Sequence, residues 1–196
     1  IGNKAFAYCT NLSYITTGKE LIIIEDYAFE KCAALMADKI PKSVTQIGKA
    51  PFKGCANLTS LVVENGNSLY HSAENCLIET QSKMLITGLN NAVIPADGSV
   101  TGIAAEAFAD CATLRTLSLP TCIAGIGENA FQGCTALQYT EHEGGKYLGN
   151  TENPHMYLAF VSDKTVSRWE CDECTPELSL IPSIAEIFDI PTHELL

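Results

Sequence analysis

The phrase Ile-Gly-x-x-Ala-Phe-x-x-Cys-x-x-Leu recurs along this chain at a fixed spacing, and that spacing constrains the fold more than any single residue. Copies fall at Ile1-Gly2, Ala5-Phe6, Cys9 and Leu12; at Ile24, Ala28-Phe29, Cys32 and Leu35; and at Ile47-Gly48, Phe52, Cys55 and Leu58. Two more fall at Ile103, Ala107-Phe108, Cys111 and Leu114, and at Ile126-Gly127, Ala130-Phe131, Cys134 and Leu137. Phe6 to Phe29, Phe29 to Phe52 and Phe108 to Phe131 are each 23 residues apart, whereas Phe52 to Phe108 is 56. A period of this length means one supersecondary unit per repeat, stacked because a single coil cannot bury its apolar side alone. The long interval means that one copy has been lengthened or replaced.

Stacking turns each repeated position into a ladder. The five phenylalanines should form an aromatic spine, and the five cysteines a line of small buried thiols. Pro51 stands where the other copies have alanine, and a local irregularity is expected there. Between each Cys and the next Phe lie two strand-type runs. Leu58–Val63 and Leu114–Leu119 alternate apolar and polar residues, and Pro41–Ile47 and Val100–Ile103 follow a proline or glycine corner. Each coil therefore reads as strand, corner, strand and a short helical turn around Ala-Phe-x-x-Cys, with neighbouring coils about 4.8 Å apart. Asp38 fills an apolar slot held by Ile15, Leu61 and Leu117 in other copies, so that strand should be distorted or Asp38 should turn outward.

Read through Val44–Leu61 and Val100–Pro120, the phrase Val-Thr-x-Ile-Gly-x-x-Ala-Phe-x-x-Cys-x-x-Leu-x-x-Leu-x-Leu-Pro resembles the repeat of BspA-like leucine-rich-repeat (LRR) surface proteins over residues 1–140 or so. The resemblance implies an α/β solenoid, a right-handed leucine-rich-repeat superhelix of mostly short strands with short helical turns and one hairpin-bearing irregular repeat. It further implies a secreted or cell-surface protein that binds proteins, with adhesion to host matrix proteins, host cells or other microbes as the family role. No catalytic residues transfer from it.

The expected organisation is a single domain over 1–196. Regular repeats occupy 1–63 and 100–140, an irregular hairpin-bearing repeat 64–99, and a degenerate repeat or C-terminal cap 141–196. In the irregular copy, Asn75–Glu79 and Lys83–Gly88 flank Thr80-Gln81-Ser82 as a hairpin, whose tip is a candidate projecting contact. Beyond Leu137 the pattern fades: Tyr147–Asn150 with Asn153-Pro154 reads as a turn, Tyr157–Val161 as a strand, and Ile181–Ile187 echoes the corner and second strand. Beginning in mid-phrase at Ile1, the chain reads as cut from a longer protein or relieved of an export signal.

Twenty-three acidic against 12 basic side chains give a net charge of −11, which repels phosphate backbones and anionic membranes, so a nucleic-acid partner is disfavoured. No run approaches the ~20 apolar residues of a membrane span. Among nine cysteines only Cys171 and Cys174 form a chemically suggestive pair. Cys-x-x-Cys is half a zinc site, and His155 and His193 match no finger spacing. A local disulfide or two free thiols fits better, and the acidic neighbours would raise the thiol pKa values. No nucleophile phrase or phosphate loop occurs, Gly144-Gly145-Lys146 lacking the rest of a P-loop, so neither an enzyme nor a cofactor is expected. Two sequons, Asn11-Leu12-Ser13 and Asn57-Leu58-Thr59, share one phase of the repeat and read as turn chemistry.

A binding face would use the outward positions of the first strand run: Tyr14, Ala37, Ser60, Thr116 and Tyr139 in one row, and Thr16, Lys39, Val62, Ser118 and Glu141 in the other. Tyrosines among small polar groups suit recognition, and the same rows read equally well as a plain solvated sheet. The partner that the family resemblance implies is an extracellular protein or glycan, a host matrix protein being one candidate. The alternative is a structural spacer within a larger surface protein, with binding carried elsewhere.

Overall fold

A computed structural model describes residues 1–138, 140–142 and 145–147. Its strands are short: β1 Ile23–Ile24, β2 Ala37–Ile40, β3 Gln46–Ile47, β4 Ser60–Val63, β5 Tyr70–Ala73, β6 Cys76–Glu79, β7 Met84–Gly88, β8 Gly102–Ile103, β9 Gly125–Ile126, β10 Thr140–His142 and β11 Gly145–Tyr147. The 23-residue period emerges as parallel pairing between neighbouring copies: β1 with β3, β2 with β4, and β8 with β9. β10 and β11 close an antiparallel pair. The Leu114–Leu119 run alternates buried leucines with exposed residues as expected, yet it forms no ladder long enough to be a strand.

The segment around Ala-Phe-x-x-Cys is not helical, and no helix occurs among the described residues. It is a train of three-residue-span turns, in which Ala5 N–H bonds Gly2 O, Ala7 bonds Lys4, Cys9 bonds Phe6 and Leu12 bonds Cys9. What prevents a helix is a left-handed residue four positions apart in each copy: Lys4 and Tyr8, Tyr27 and Lys31, Ala50 and Gly54, Glu106 and Asp110, Asn129 and Gly133. Those reversals turn alternate N–H groups outward along the stack. Lys4, Phe6 and Tyr8 thus donate to Asp26, Ala28 and Glu30; Tyr27, Phe29 and Lys31 to Lys49, Pro51 and Lys53; and Glu106, Phe108 and Asp110 to Glu128, Ala130 and Gln132, all at 2.7–3.0 Å. Pro51 causes no irregularity. Its slot needs an N–H only for the local turn, and its carbonyl still accepts from Phe29 at 2.8 Å.

The Ile-Gly element of the phrase has a packing cause. A methyl group at Gly48 would overlap the backbone at Glu25–Asp26, and one at Gly127 the backbone at Ala104–Ala105. The aromatic spine exists in two pieces. Phe6, Phe29 and Phe52 stack at 5.4 and 5.3 Å with rings 3° apart, and Phe108 stacks on Phe131 at 5.3 Å.

The irregular repeat is the hairpin the sequence predicts, built into the stack. β5, β6 and β7 run antiparallel, and β7 continues parallel through β8 to β9. It is no projecting arm: Cys76, Leu77, Ile78 and Leu85 are fully buried, while the turn at Thr80–Lys83 is exposed. Side chains from this insertion satisfy backbone groups of the third copy and of the run that leads into it. The Ile47 N–H donates to the Tyr70 hydroxyl at 3.1 Å, the Val63 N–H to Ser72 Oγ at 3.0 Å, and Asn67 Nδ2 donates to the Val44 carbonyl at 2.9 Å.

At Asp38 the strand is not distorted, since β2 keeps an unbroken register with β4, Asp38 opposite Leu61. The Asp38 side chain, together with Tyr139, Cys171, Cys174, His155, His193 and the elements expected beyond Tyr147, lies outside the described residues.

Candidate binding face

Alternation in the first strand run fixes which side chains meet water. In the third copy Leu58, Leu61 and Val63 are buried, Ser60 is half-buried and Val62 is 47% exposed; in the fourth, Leu114, Leu117 and Leu119 are buried while Thr116 and Ser118 are exposed. Tyr14, Thr16 and Lys39 are likewise exposed, Tyr14 to 75%. The β2–β4 register sets Lys39 beside Val62 and Ala37 beside Ser60. The first copy joins this face through the Met36 N–H, which donates to Ser13 O at 3.3 Å, and the third through Thr59, whose N–H and hydroxyl both donate to Met36 O. Lys39 also pairs with Glu64 at 3.4 Å, so its charge is partly answered locally. Glu141 lies in β10, whose side chains are not described.

Thr116 and Ser118 lie past the irregular repeat, and two asparagines unnoticed in the sequence span that gap. Asn90 donates from Nδ2 to Ala56 O at 3.3 Å and accepts at Oδ1 from the Thr113 N–H at 3.1 Å; Asn91 donates to Thr59 O at 3.2 Å. A side-chain amide, with a donor and an acceptor on opposite sides, stands in for the strand that a regular copy would supply. Met36, 59% exposed, belongs to neither predicted row because it directly follows the ladder leucine, one place ahead of the first row. With Tyr14 and Val62 it gives three consecutive copies an exposed apolar side chain each.

The thiol ladder has a chemistry of its own. Cys32, Cys55, Cys111 and Cys134 direct their Sγ at the carbonyls of Phe6, Phe29, Gly88 and Phe108 in the preceding copy, at 3.0–3.4 Å. Cys9, with no such contact, is exposed. Burial pushes Cys76 and Cys111 up to about 12 and Cys134 to about 11, which keeps these sulfurs as neutral S–H donors and not nucleophiles. Among the described residues no cysteine forms a disulfide, and no group of His, Cys, Asp and Glu could hold a metal. Outside the repeat phrase, Cys76 and Cys122 follow the same habit, pointing at Val93 O and Val100 O at 3.5 and 3.4 Å.

Charged groups converge away from the strand face, along the turn ladder. Glu106 takes Lys49 Nζ at 2.8 Å, Lys53 Nζ at 2.6 Å and the Tyr27 hydroxyl at 3.0 Å; Lys31 meets Asp110 at 2.7 Å. Burial opposes the Glu106 charge, but Lys49, Lys53 and Tyr27 outweigh it and hold its carboxyl at about 2.

Residues 85–150 match the sequence model of the BspA type leucine rich repeat region, in six copies. The fold is similar to a leucine rich cell surface protein from Faecalibacterium prausnitzii, at 30% identity over 69% of this chain and 37% of that one, with a TM-score of 0.60. It is also similar to the pneumococcal vaccine antigen PcpA, at 26% identity over 70% and 35% of the two chains, with a TM-score of 0.61. The chain thus spans little more than a third of either structure. No curated protein matches it.

Proposed function

From the premise that this chain is a protein of BspA-type leucine-rich repeats, we propose that it is a non-enzymatic cell-surface binding module. The reading takes 1–196 as a single right-handed solenoid whose first-strand face engages an extracellular protein or glycan in adhesion. One observation carries it: Tyr14, Met36 and Val62, from three successive copies, stand in solvent along a strand run whose Leu35, Ile40, Leu58, Leu61 and Val63 are buried. Apolar and aromatic groups held out by a rigid backbone are what a partner can bury at little entropic cost. The location is supported by the similarity to the F. prausnitzii leucine rich cell surface protein.

The test is binding of the purified chain to immobilised matrix proteins and glycans, wild type against Tyr14→Asp with Val62→Asp. A rim of ~1–2 kcal/mol per lost anchor predicts a Kd raised at least tenfold. Unchanged binding by the double variant sinks this face as the site. If only a longer chain containing these residues binds, and it does so equally with the double substitution, the module is a spacer.

A further inference from the structure

Buried apolar residues fall into two clusters. Ile24 to Val63, with Tyr70, Leu77 and Leu89, form one; Cys76, Ile78, Leu85 and the apolar positions from Ala92 to Leu137 form the other. Strand β6 is the wall between them, Leu77 serving the first cluster and Cys76 and Ile78 the second. The phenylalanine stack ends on one side of this wall and restarts on the other. In a stacked-repeat protein, cooperativity depends on each nearest-neighbour interface, and this interface differs from every regular one.

On the turn face, side chains cross the wall. Glu106 and Asp110 occupy the two left-handed positions of the fourth copy; the same positions hold Tyr27 and Lys31 in the second copy, and Ala50 and Gly54 in the third. Tyr27 and Lys31 therefore reach over the third copy, to Glu106 at 3.0 Å and Asp110 at 2.7 Å. They can do so because the intervening residues are small: a methyl group at Gly54 would come within 2.6 Å of Lys31 Cδ. Lys49 and Lys53 complete the cluster from the third copy itself. Glu30 faces Lys53, and the Lys4 ammonium lies over the Tyr27 ring at 5.4 Å. The side chains of Glu106 and Lys53 are only 10% and 16% exposed, so loss of one partner strands a charge in a largely dry site.

We propose that this cluster is a latch, which holds the block of the first three copies and the block of the fourth and fifth in one cooperative unit across a hairpin that would otherwise serve as a hinge. An incidental surface ion pair would not need the intervening residue to be small in two rows at once.

Pulsed thiol labelling of the full chain in rising urea, read by peptide mass spectrometry, tests this. Cys32 and Cys55 report one block, Cys111 and Cys134 the other. Wild type should expose both pairs at one midpoint. Glu106→Gln with Asp110→Asn should part the midpoints, the Cys111 and Cys134 pair labelling on the order of tenfold faster below the main transition. Restored coincidence in the exchange Lys53→Glu with Glu106→Lys would support charge pairing as the cause. Parted midpoints in wild type, or coincident ones in the Gln/Asn variant, overturn the proposal. Should that variant not fold, Lys49→Met, which removes only the more exposed cation, is read by the same criterion.

Discussion

Gly88 is the residue on which the irregular repeat turns. Its N–H donates to Ala107 O and its carbonyl faces the Cys111 thiol, the two contacts that a ladder phenylalanine makes in a regular copy. Gly88 thus keeps the backbone of the missing phenylalanine without the ring, and a methyl group there would overlap the Phe108 ring. Gly88→Ala should cost about 1–3 kcal/mol in urea unfolding. Paired with Phe108→Leu, which vacates that space, it should cost clearly less than the two singles summed, and strict additivity would refute the overlap. The residue before it in the strand, Thr87, is buried and its hydroxyl lacks a partner among the described residues. Thr87→Val keeps the branched shape and removes the unpaired oxygen, so stability should hold or rise by ~1 kcal/mol. A loss of similar size in the same titration would mean that the hydroxyl is bonded after all.

At the scale of elements, what repeats was legible and what replaces a repeat was not. The buried positions, the parallel strand pairs, the hairpin and the free thiols follow from spacing alone, because stacking forces equivalent residues into contact. The helical turn was misread because most of the residues at the left-handed positions give no sign of it. Lys4, Tyr8, Tyr27, Lys31, Ala50 and Glu106 are not turn formers, and only Gly54, Gly133, Asp110 and Asn129 hint at the reversal. The outward rows of the face could be counted from the phase, whereas Asn90 and Asn91 belong to no repeat and their bridging could not be counted. Asn90→Ala removes both the bond to Ala56 O and the acceptor for Thr113, and should cost about 1–2 kcal/mol. Hydrogen exchange should then quicken at Thr113 and along the fourth copy's strand run while the second copy stays protected; equal protection throughout would show that the bridge carries no load.

For the whole molecule, the strongest pH dependence should come from the acid side and from one carboxyl. Glu106 titrates at about 2 when folded against an ordinary 4.5, so the folded state holds its proton less tightly than the unfolded chain does. A depressed carboxyl contributes stability that is complete above the unfolded value and drains away as pH falls toward the folded one. The difference corresponds to about 3 kcal/mol, present at neutral pH and lost between roughly pH 5 and 2. Lys49 and Lys53 stay charged across that window, so protonating Glu106 leaves two cations facing a neutral acid and weakens the tie between the two blocks. Urea midpoints measured from pH 7 down to pH 3 should therefore fall, and Glu106→Gln should be less stable at pH 7 but show a shallower slope. A Gln variant that tracks the wild-type slope over this range would assign the acid sensitivity to other carboxylates and remove Glu106 from its place between the blocks.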